Sequence, residues 1–331
     1  MTVTDCPTLA DVYAARARIG GRAIRSPLIR SQALGRLTGA EVFLKLETLQ
    51  PTGSFKVRGA ANKILSLSRE EKSRGVIAFS TGNHGRAVAS VARAENLPAV
   101  VCLSERVPGY RLEAMRELGA EVVAFGQSQD EAFRRALEIQ GERGLAMVAP
   151  FDDPLVIAGQ GTMALEIAES LPGLASLIVP LSGGGLFSGV ALAAKAINPR
   201  IEMVGVSMAV APAMARSLEA GRPVEIPERD SLADALLGGI GLENRFTFRL
   251  TQKYLDRIVL VSEEEIAAAM AHAFARERLV VEGSGAVGIA AILAGKARPK
   301  GPAALILSGG NVDPGLLHSL VGQAMKKDPV A

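Results

Sequence analysis

The stretch PTGSFKVRGA, Pro51 to Ala60, sets a lysine, Lys56, at its centre. The alternating apolar run Val42 to Leu46 before it reads as a strand, Pro51 and Gly53 turn the chain, and a helical pattern begins near Val57. A lysine held rigidly at such a strand-to-helix turn, partly desolvated and beside a phosphate-binding helix start, has an amine nucleophilic enough to form a Schiff base. The candidate partner is pyridoxal phosphate. Taken alone, a lysine near a helix start is more commonly a solvated surface residue, so the weight of this reading falls on the other motifs.

Three further turns carry suitable groups. Ser182, Gly183, Gly184, Gly185 and Leu186 follow an apolar strand and precede a helix, an arrangement that offers unpaired backbone N–H groups to a phosphate; an ordinary tight turn is the alternative. No Gly-Lys-Ser or Gly-Lys-Thr follows and the dinucleotide spacing is missing, which disfavours nucleotide hydrolysis and a dinucleotide oxidoreductase. Ser80, Thr81, Gly82, Asn83, His84 and Gly85 form another strand-to-helix turn. Ser80, Thr81 and nearby N–H groups suit a substrate carboxylate, Asn83 suits a ring oxygen, and His84 is either a proton carrier or a capping and packing residue. Ser308 opens Ser308, Gly309, Gly310, Asn311, where its hydroxyl could meet a pyridine nitrogen or simply end a strand. A neutral hydroxyl there leaves the ring a weaker electron sink than an aspartate would, which favours elimination of a β-substituent over transamination. Glu282 and Ser284 could line the ring, although Glu282 could equally pair with a basic neighbour.

The elements that must position these turns alternate. Strands at Val76 to Ser80, Ala99 to Leu103, Glu121 to Phe125 and Leu145 to Val148 enclose three helices, which predicts a parallel sheet covered on both faces. A second α/β series starts at Pro154 with strands at Leu177 to Leu181, Glu202 to Val206, Arg257 to Val261 and Ala304 to Leu307. Residues 221–241 read as an irregular loop over the surface or the site entrance. Ser262 and Glu265 make a capping box, so the acidic run Glu263 to Glu265 is a helix start with no catalytic role. With 331 residues, 48% of them hydrophobic, the chain can bury a large core. Its 37 basic against 34 acidic side chains and its lack of Trp argue against a nucleic-acid surface. Two cysteines give no disulfide framework, and Cys102 sits in an apolar run as a core residue. No segment approaches bilayer-spanning length and the amino terminus lacks a signal-like pattern, so the expected location is the cytoplasm, without nucleic-acid or membrane partners.

Together, SFKVRGA, STGNHG, SGGGLFSG, VEGSGAVGIAAIL and LSGGNVD occur in the order and spacing of the threonine dehydratase and serine racemase family, and over nearly its whole length the chain resembles fold type II pyridoxal-phosphate enzymes. The resemblance implies an α/β fold of two domains with three-layer open twisted sheets, similar to the tryptophan synthase β subunit. Residues 1–68 and 154–331 would form the large cofactor-binding domain and residues 75–150 a small mobile substrate-binding domain. It also implies that Lys56 is the Schiff-base lysine and general base, with Phe55 beside it in the cofactor site. Asn83 would contact the ring oxygen, Gly183, Gly184, Gly185 and Leu186 would bind the phosphate, Glu282 would line the ring and Ser308 would face the pyridine nitrogen. Ser80, Thr81, Gly82 and His84 would bind substrate. Thr81 stands where the racemases carry a serine base, which puts racemisation in doubt. Ser207 and Ala213 replace the acidic residues of the family's cation site, so no metal is expected. The resemblance implies a homodimer, and the chain stops soon after LSGGNVD, which points away from a feedback-regulated enzyme and towards a catabolic one. STGNHGRAVA, PFDDPLVIAGQGT, PLSGGGLFSGVALAAKAI, GVSM and GGIGLENRFTF more narrowly resemble hydroxyectoine-utilisation dehydratases.

The activity so implied is removal of water from a β-hydroxy amino acid to give a 2-oxo acid and ammonia. General serine/threonine ammonia-lyase activity, serine racemisation, and a non-catalytic phosphate-binding module are the alternatives.

Overall fold

The computed structural model describes residues 6–80 and 82–327 and arranges their strands in two sheets. In chain order the strands are β1 (Leu28–Ser31), β2 (Val42–Leu46), β3 (Val76–Phe79), β4 (Ala99–Leu103), β5 (Glu121–Ala124), β6 (Ala146–Met147), β7 (Ser176–Pro180), β8 (Glu202–Met208), β9 (Arg257–Val261) and β10 (Ala303–Leu307). The larger sheet has the order β1-β2-β10-β7-β8-β9 and the smaller one β5-β4-β3-β6. All pairings are parallel except that of β1 with β2.

The inner strands β4, β7 and β10 are buried on both faces, as parallel strands wrapped by helices must be, while the edge strand β5 is half-exposed. Along β10, Ala304 and Ile306 enter one core while Leu305 and Leu307 enter the other; along β4, Val101 and Leu103 alternate with Val100 and Cys102. Cys102 is fully buried as expected, and burial pushes its thiol up to about 11, so it is an inert core side chain.

Thr8 caps the first helix, Leu9–Ile19, through a reciprocal bond with Asp11, and Ser262 does the same with Glu265 for the helix Glu263–Ala275. Residues 221–241 carry no helix or strand beyond one 3-10 turn, Asp234–Leu236. Several elements escape a periodicity reading, among them the helices Arg69–Arg74 and Gly283–Leu293. The antiparallel edge strand β1 has four residues, too few to show alternation, and the helices Gln32–Thr38 and Thr247–Tyr254 are two turns long. Two helices start earlier than their apolar pattern: Lys56 and Asn83 are each the first helical residue rather than part of the preceding turn. No described helix is long and apolar enough to cross a membrane.

Strand order decides where the chemistry gathers. β2, β10 and β7 are neighbours, with Leu46 opposite Leu307 and Ala303 opposite Ser176, so their carboxyl ends lie side by side. The segments that leave those ends hold Lys56, Ser308 and the Gly183–Gly185 turn, and side chains converge outside the carboxyl edge of such a sheet.

Candidate active site

Backbone bonds stitch the first two of these segments together. Ser54 and Gly309 form an isolated antiparallel bridge, the Phe55 N–H donates to the Ser308 carbonyl at 3.0 Å, and the Gly310 N–H donates to the Gly53 carbonyl at 2.9 Å. Lys56 is thereby fixed at a helix start beside the end of β10. Its Nζ donates to the Pro150 carbonyl at 2.8 Å and lies 5.2 Å from the centre of the Phe55 ring. Burial draws the amine down from its ordinary 10.5 to about 8, with the Glu282 carboxylate pulling the other way. A substantial neutral fraction near pH 7 to 8 follows, as a nucleophile and base requires.

The glycine turn is squeezed from both sides. A Cβ on Gly183 would stand 2.5 Å from Cδ1 of Phe151, one on Gly185 2.8 Å from Cα of Phe151, and one on Gly184 2.9 Å from both Cε of Met214 and Cβ of Thr247. Gly184 also has φ +87°, a left-handed conformation that a side chain resists. Leu186 follows in the first turn of the helix Gly185–Ile197, whose opening N–H groups lack carbonyl partners within the helix. Ser182 Oγ donates to the Leu236 carbonyl at 2.8 Å and turns away from the cradle. Ser308 is buried at the neighbouring strand end, and close by Ser54 Oγ is buried without a hydrogen-bond partner. These groups fit pyridoxal phosphate: an amine for the aldehyde carbon, a cradle that only glycine permits for the phosphate, and buried hydroxyls at the strand ends.

The fourth turn, at the end of β3, joins them through a directed chain of hydrogen bonds. Arg86 Nη1 donates to Asn311 Oδ1 at 2.9 Å, Asn311 Nδ2 donates to Asn83 Oδ1 at 2.7 Å and to the Thr52 carbonyl at 2.9 Å, and Asn83 Nδ2 donates to Glu282 Oε1 at 2.7 Å. A guanidinium can only donate and a carbonyl can only accept, so the orientation of both amides is determined. One proton of Asn83 Nδ2 is left for a ligand. Glu282 is 4% exposed, and burial, with Asp234 next, raises its carboxyl to about 7, against the bonds from Asn83 and the Asn311 N–H. Its hydrogen-bond partner is the amide of Asn83, while Arg111, whose charge also lowers the Glu282 carboxyl, donates to Asp234 Oδ2 at 2.5 Å.

Ser80 Oγ accepts from the N–H groups of Gly82 and Gly85, both at 2.9 Å, and retains its own proton for donation. His84 Nε2 lies 2.7 Å from the Val148 carbonyl, which fixes the neutral tautomer, and burial together with nearby Lys56 lowers the ring to about 3. The ring is neutral at neutral pH, and its Nδ1 is buried without a hydrogen-bond partner. Thr81 lies outside the described residues. Ser284 Oγ accepts from the Ala235 N–H at 2.9 Å and so anchors the loop 221–241 beside Glu282. Ser207 is buried on β8 and Ala213 begins the helix Ala213–Ala220; among the described residues no three His, Cys, Asp or Glu side chains gather as metal ligands.

Residues that sequence reasoning left without a role are Asn311, Arg86 and the run Pro150–Asp153. Asn311 and Arg86 belong to quoted motifs, yet only the fold shows that they bond to each other across 225 residues of chain.

Two wrapped sheets with a lysine, a glycine cradle and a hydroxyl at adjacent strand ends define a fold type II pyridoxal-phosphate enzyme. The family model described as "Pyridoxal-phosphate dependent enzyme" matches residues 21–309, and the chain belongs to that family, with pyridoxal phosphate as its cofactor. A Sinorhizobium fredii protein provisionally described as a threonine dehydratase is 48% identical over 96% of both chains. An L-threonine ammonia-lyase of Thermotoga maritima is 42% identical over 97% of this chain and 79% of its own. Among solved structures, maize serine racemase superimposes with a TM-score of 0.90 at 32% identity, covering 98% of this chain and 99% of that one.

Proposed function

We propose that the chain is an ammonia-lyase of the threonine dehydratase type that removes water from a β-hydroxy amino acid. The observation that carries this is the half-buried Lys56 amine, lowered to about 8, at a helix start whose preceding residue bonds to the Ser308 carbonyl, near the strand end that leads into the glycine cradle. The names of the two sequence relatives support it. When bound, pyridoxal phosphate supplies the electron sink that acidifies the Cα–H bond of an amino acid. The Lys56 amine takes that proton, the electron pair forms a Cα–Cβ double bond, and the Cβ–O bond breaks as the hydroxyl receives the proton from the Lys56 ammonium and leaves as water. The resulting enamine tautomerises to an imine, which water hydrolyses to a 2-oxo acid and ammonia. Ser80, through its free proton, and the neighbouring turn hold the substrate carboxylate; Asn83 holds the cofactor ring oxygen.

Residues 1–68 and 154–331 act as the cofactor-binding unit and residues 75–150 as a mobile substrate unit, in a cytoplasmic homodimer that light scattering would reveal. The physiological substrate is a ring-opened hydroxyectoine derivative, 3-hydroxy-2,4-diaminobutyrate acetylated on its distal nitrogen, because the closed ring has no primary α-amine to exchange with Lys56. The motif runs shared with hydroxyectoine-utilisation dehydratases support this narrower reading. The test is ammonia and oxo-acid release from a panel of β-hydroxy amino acids. Saturable turnover of intact hydroxyectoine without a ring-opening enzyme refutes the substrate assignment, and a higher kcat/KM for threonine or serine makes the protein a general ammonia-lyase. The likeness to maize serine racemase favours one second reading, racemisation, which D-serine formation outpacing oxo-acid release would establish.

A further inference from the structure

Each residue of the run Pro150–Asp153 bonds or packs against a different segment. The Pro150 carbonyl receives the Lys56 amine, and the Phe151 side chain and backbone fill the space that Cβ atoms on Gly183 and Gly185 would need. Asp153 caps the helix Pro154–Ser170 through bonds from the N–H groups of Leu155 and Val156, at 2.8 and 3.1 Å, and pairs with Lys63 of the Lys56 helix at 2.6 Å. Asp152 reaches elsewhere. Its Oδ2 accepts from the Arg245 N–H at 2.7 Å, and its Oδ1 accepts from the N–H groups of Phe246 and Thr247, each at 2.9 Å.

The Thr247 N–H begins the helix Thr247–Tyr254 and the other two lead into it; the preceding residue, Phe246, provides no side-chain cap, and the next N–H, that of Phe248, donates to Asn244 Oδ1 at 2.8 Å, so Asp152 and Asn244 share the helix start. Asp152 is therefore a cap supplied from 95 residues away, and a carboxylate at a helix amino terminus is favoured by both hydrogen bonding and the helix dipole. The helix it caps forms the opposite wall of the glycine turn. Thr247 Cβ lies 2.9 Å, and Thr251 Oγ1 3.2 Å, from the position of a Cβ on Gly184. Phe151 thus presses on Gly183 and Gly185 while the Thr247 helix presses on Gly184. Asp152, adjacent to the first and bonded to the second, ties the two walls together.

We infer that Asp152 is a positioning residue that sets the width of the phosphate cradle, acting through Phe151 on one side and the Thr247 helix on the other. The inference rests on the cofactor assignment above and extends it to a residue that touches neither cofactor nor substrate. It assigns Asp152 to cofactor grip, distinct from chemistry: loosening the tie weakens phosphate binding without altering the Lys56 amine as a base.

The experiment titrates apoprotein with pyridoxal phosphate and follows adduct absorbance, the phosphorus NMR signal of the bound phosphate, and the melting temperatures of apo and holo forms. Asp152→Asn removes the charge and one acceptor, and the expected outcome is a cofactor Kd raised roughly tenfold, a moved phosphorus resonance and a narrower gap between apo and holo melting temperatures. Phe151→Leu, which thins the other wall, is expected to raise Kd in the same direction and decides the matter if the first variant does not fold. Affinity within about twofold of wild type, with apo and holo forms destabilised equally, would show a cap that serves stability alone and would overturn the inference. Failure of the wild-type apoprotein to bind the cofactor is a separate result, which overturns the cofactor assignment on which the inference rests.

Discussion

Replacing Arg58 by methionine should destabilise the protein by about 3–5 kcal/mol at pH 7 to 8, and the loss should shrink in acid. Arg58 lies two residues beyond Lys56 and is 2% exposed, at the centre of a buried tetrad with Lys45, Glu47 and Glu166. Its guanidinium grips both carboxylates, with Nε and Nη2 on Glu47 at 2.8 and 2.9 Å and Nη1 and Nη2 on Glu166 at 2.6 and 2.9 Å. Two cations and two anions balance, so the variant leaves one buried negative charge unmatched. At about 2.1 cal/mol/K of unfolding entropy per residue, 331 residues give about 0.7 kcal/mol per degree, so Tm should fall by about 4–7 °C if the chain unfolds as one unit. The pH dependence follows from Glu47. Burial pushes its carboxyl up, but Arg58, with Ser26 and Lys45, outweighs burial and holds it below its ordinary 4.5. In the wild type this contribution is present above the unfolded value and is lost as pH falls through the lower folded one. Without the guanidinium, burial dominates, the folded value rises above the unfolded one, and the penalty is complete at high pH and relieved as protonation sets in. Denaturant unfolding of both proteins from pH 8 to pH 5 measures the difference. A loss below about 1 kcal/mol, or one that stays constant across that range, would refute the claim that the tetrad is a dry, charge-balanced unit.

Lys56→Ala should abolish the pyridoxyl peptide recovered after borohydride reduction and lower ammonia release by about 10³-fold or more; an adduct mapped to another lysine would sink the assignment. Glu282→Gln removes the negative charge that raises the Lys56 amine, so the pH midpoint for adduct formation by the apoprotein, expected at about 8, should move to lower pH; an unmoved or higher midpoint contradicts this coupling. Gly309→Ala would place a Cβ 2.4 Å from Glu282 Oε1 and 3.2 Å from Ser54 Cβ, which displaces Glu282 from Asn83 and should cost about 1–3 kcal/mol in denaturant unfolding.

What could be read from the residues alone was local chemistry. Strand ends and helix starts announce themselves through alternation, glycine and caps, and Ser262 with Glu265 or Thr8 with Asp11 need only a few residues of context. The glycine turn was legible for the same reason, since a run of glycines after an apolar strand has few structural uses. What stayed hidden depends on strand order. Nothing local to Ser308 says that β10, last in the chain, inserts between β2 and β7, yet that insertion is what sets the residue beside the Lys56 turn. Likewise Glu282 read as a residue with two futures, ring-lining or ion-paired, because its burial and its bond to Asn83 are made across 199 residues. The same holds for charge. Lys45 in β2 looks like any strand lysine and Glu166 like any helical glutamate, and only their meeting at 2.5 Å inside the protein makes them structural. His84 shows the limit from the other side: its type suggested proton transfer, but burial and the Val148 carbonyl keep it neutral. Residue type therefore identified which groups could do chemistry at a turn, while desolvation, which belongs to the assembled fold, sets the protonation state in which each is held. Lys56, half-buried, and His84, buried, are both desolvated at the same site. The difference is in starting point: burial brings an amine of ordinary pKa 10.5 down to about 8, which leaves it partly neutral near pH 7 to 8, and carries an imidazole of 6.5 down to about 3, which leaves it wholly neutral there.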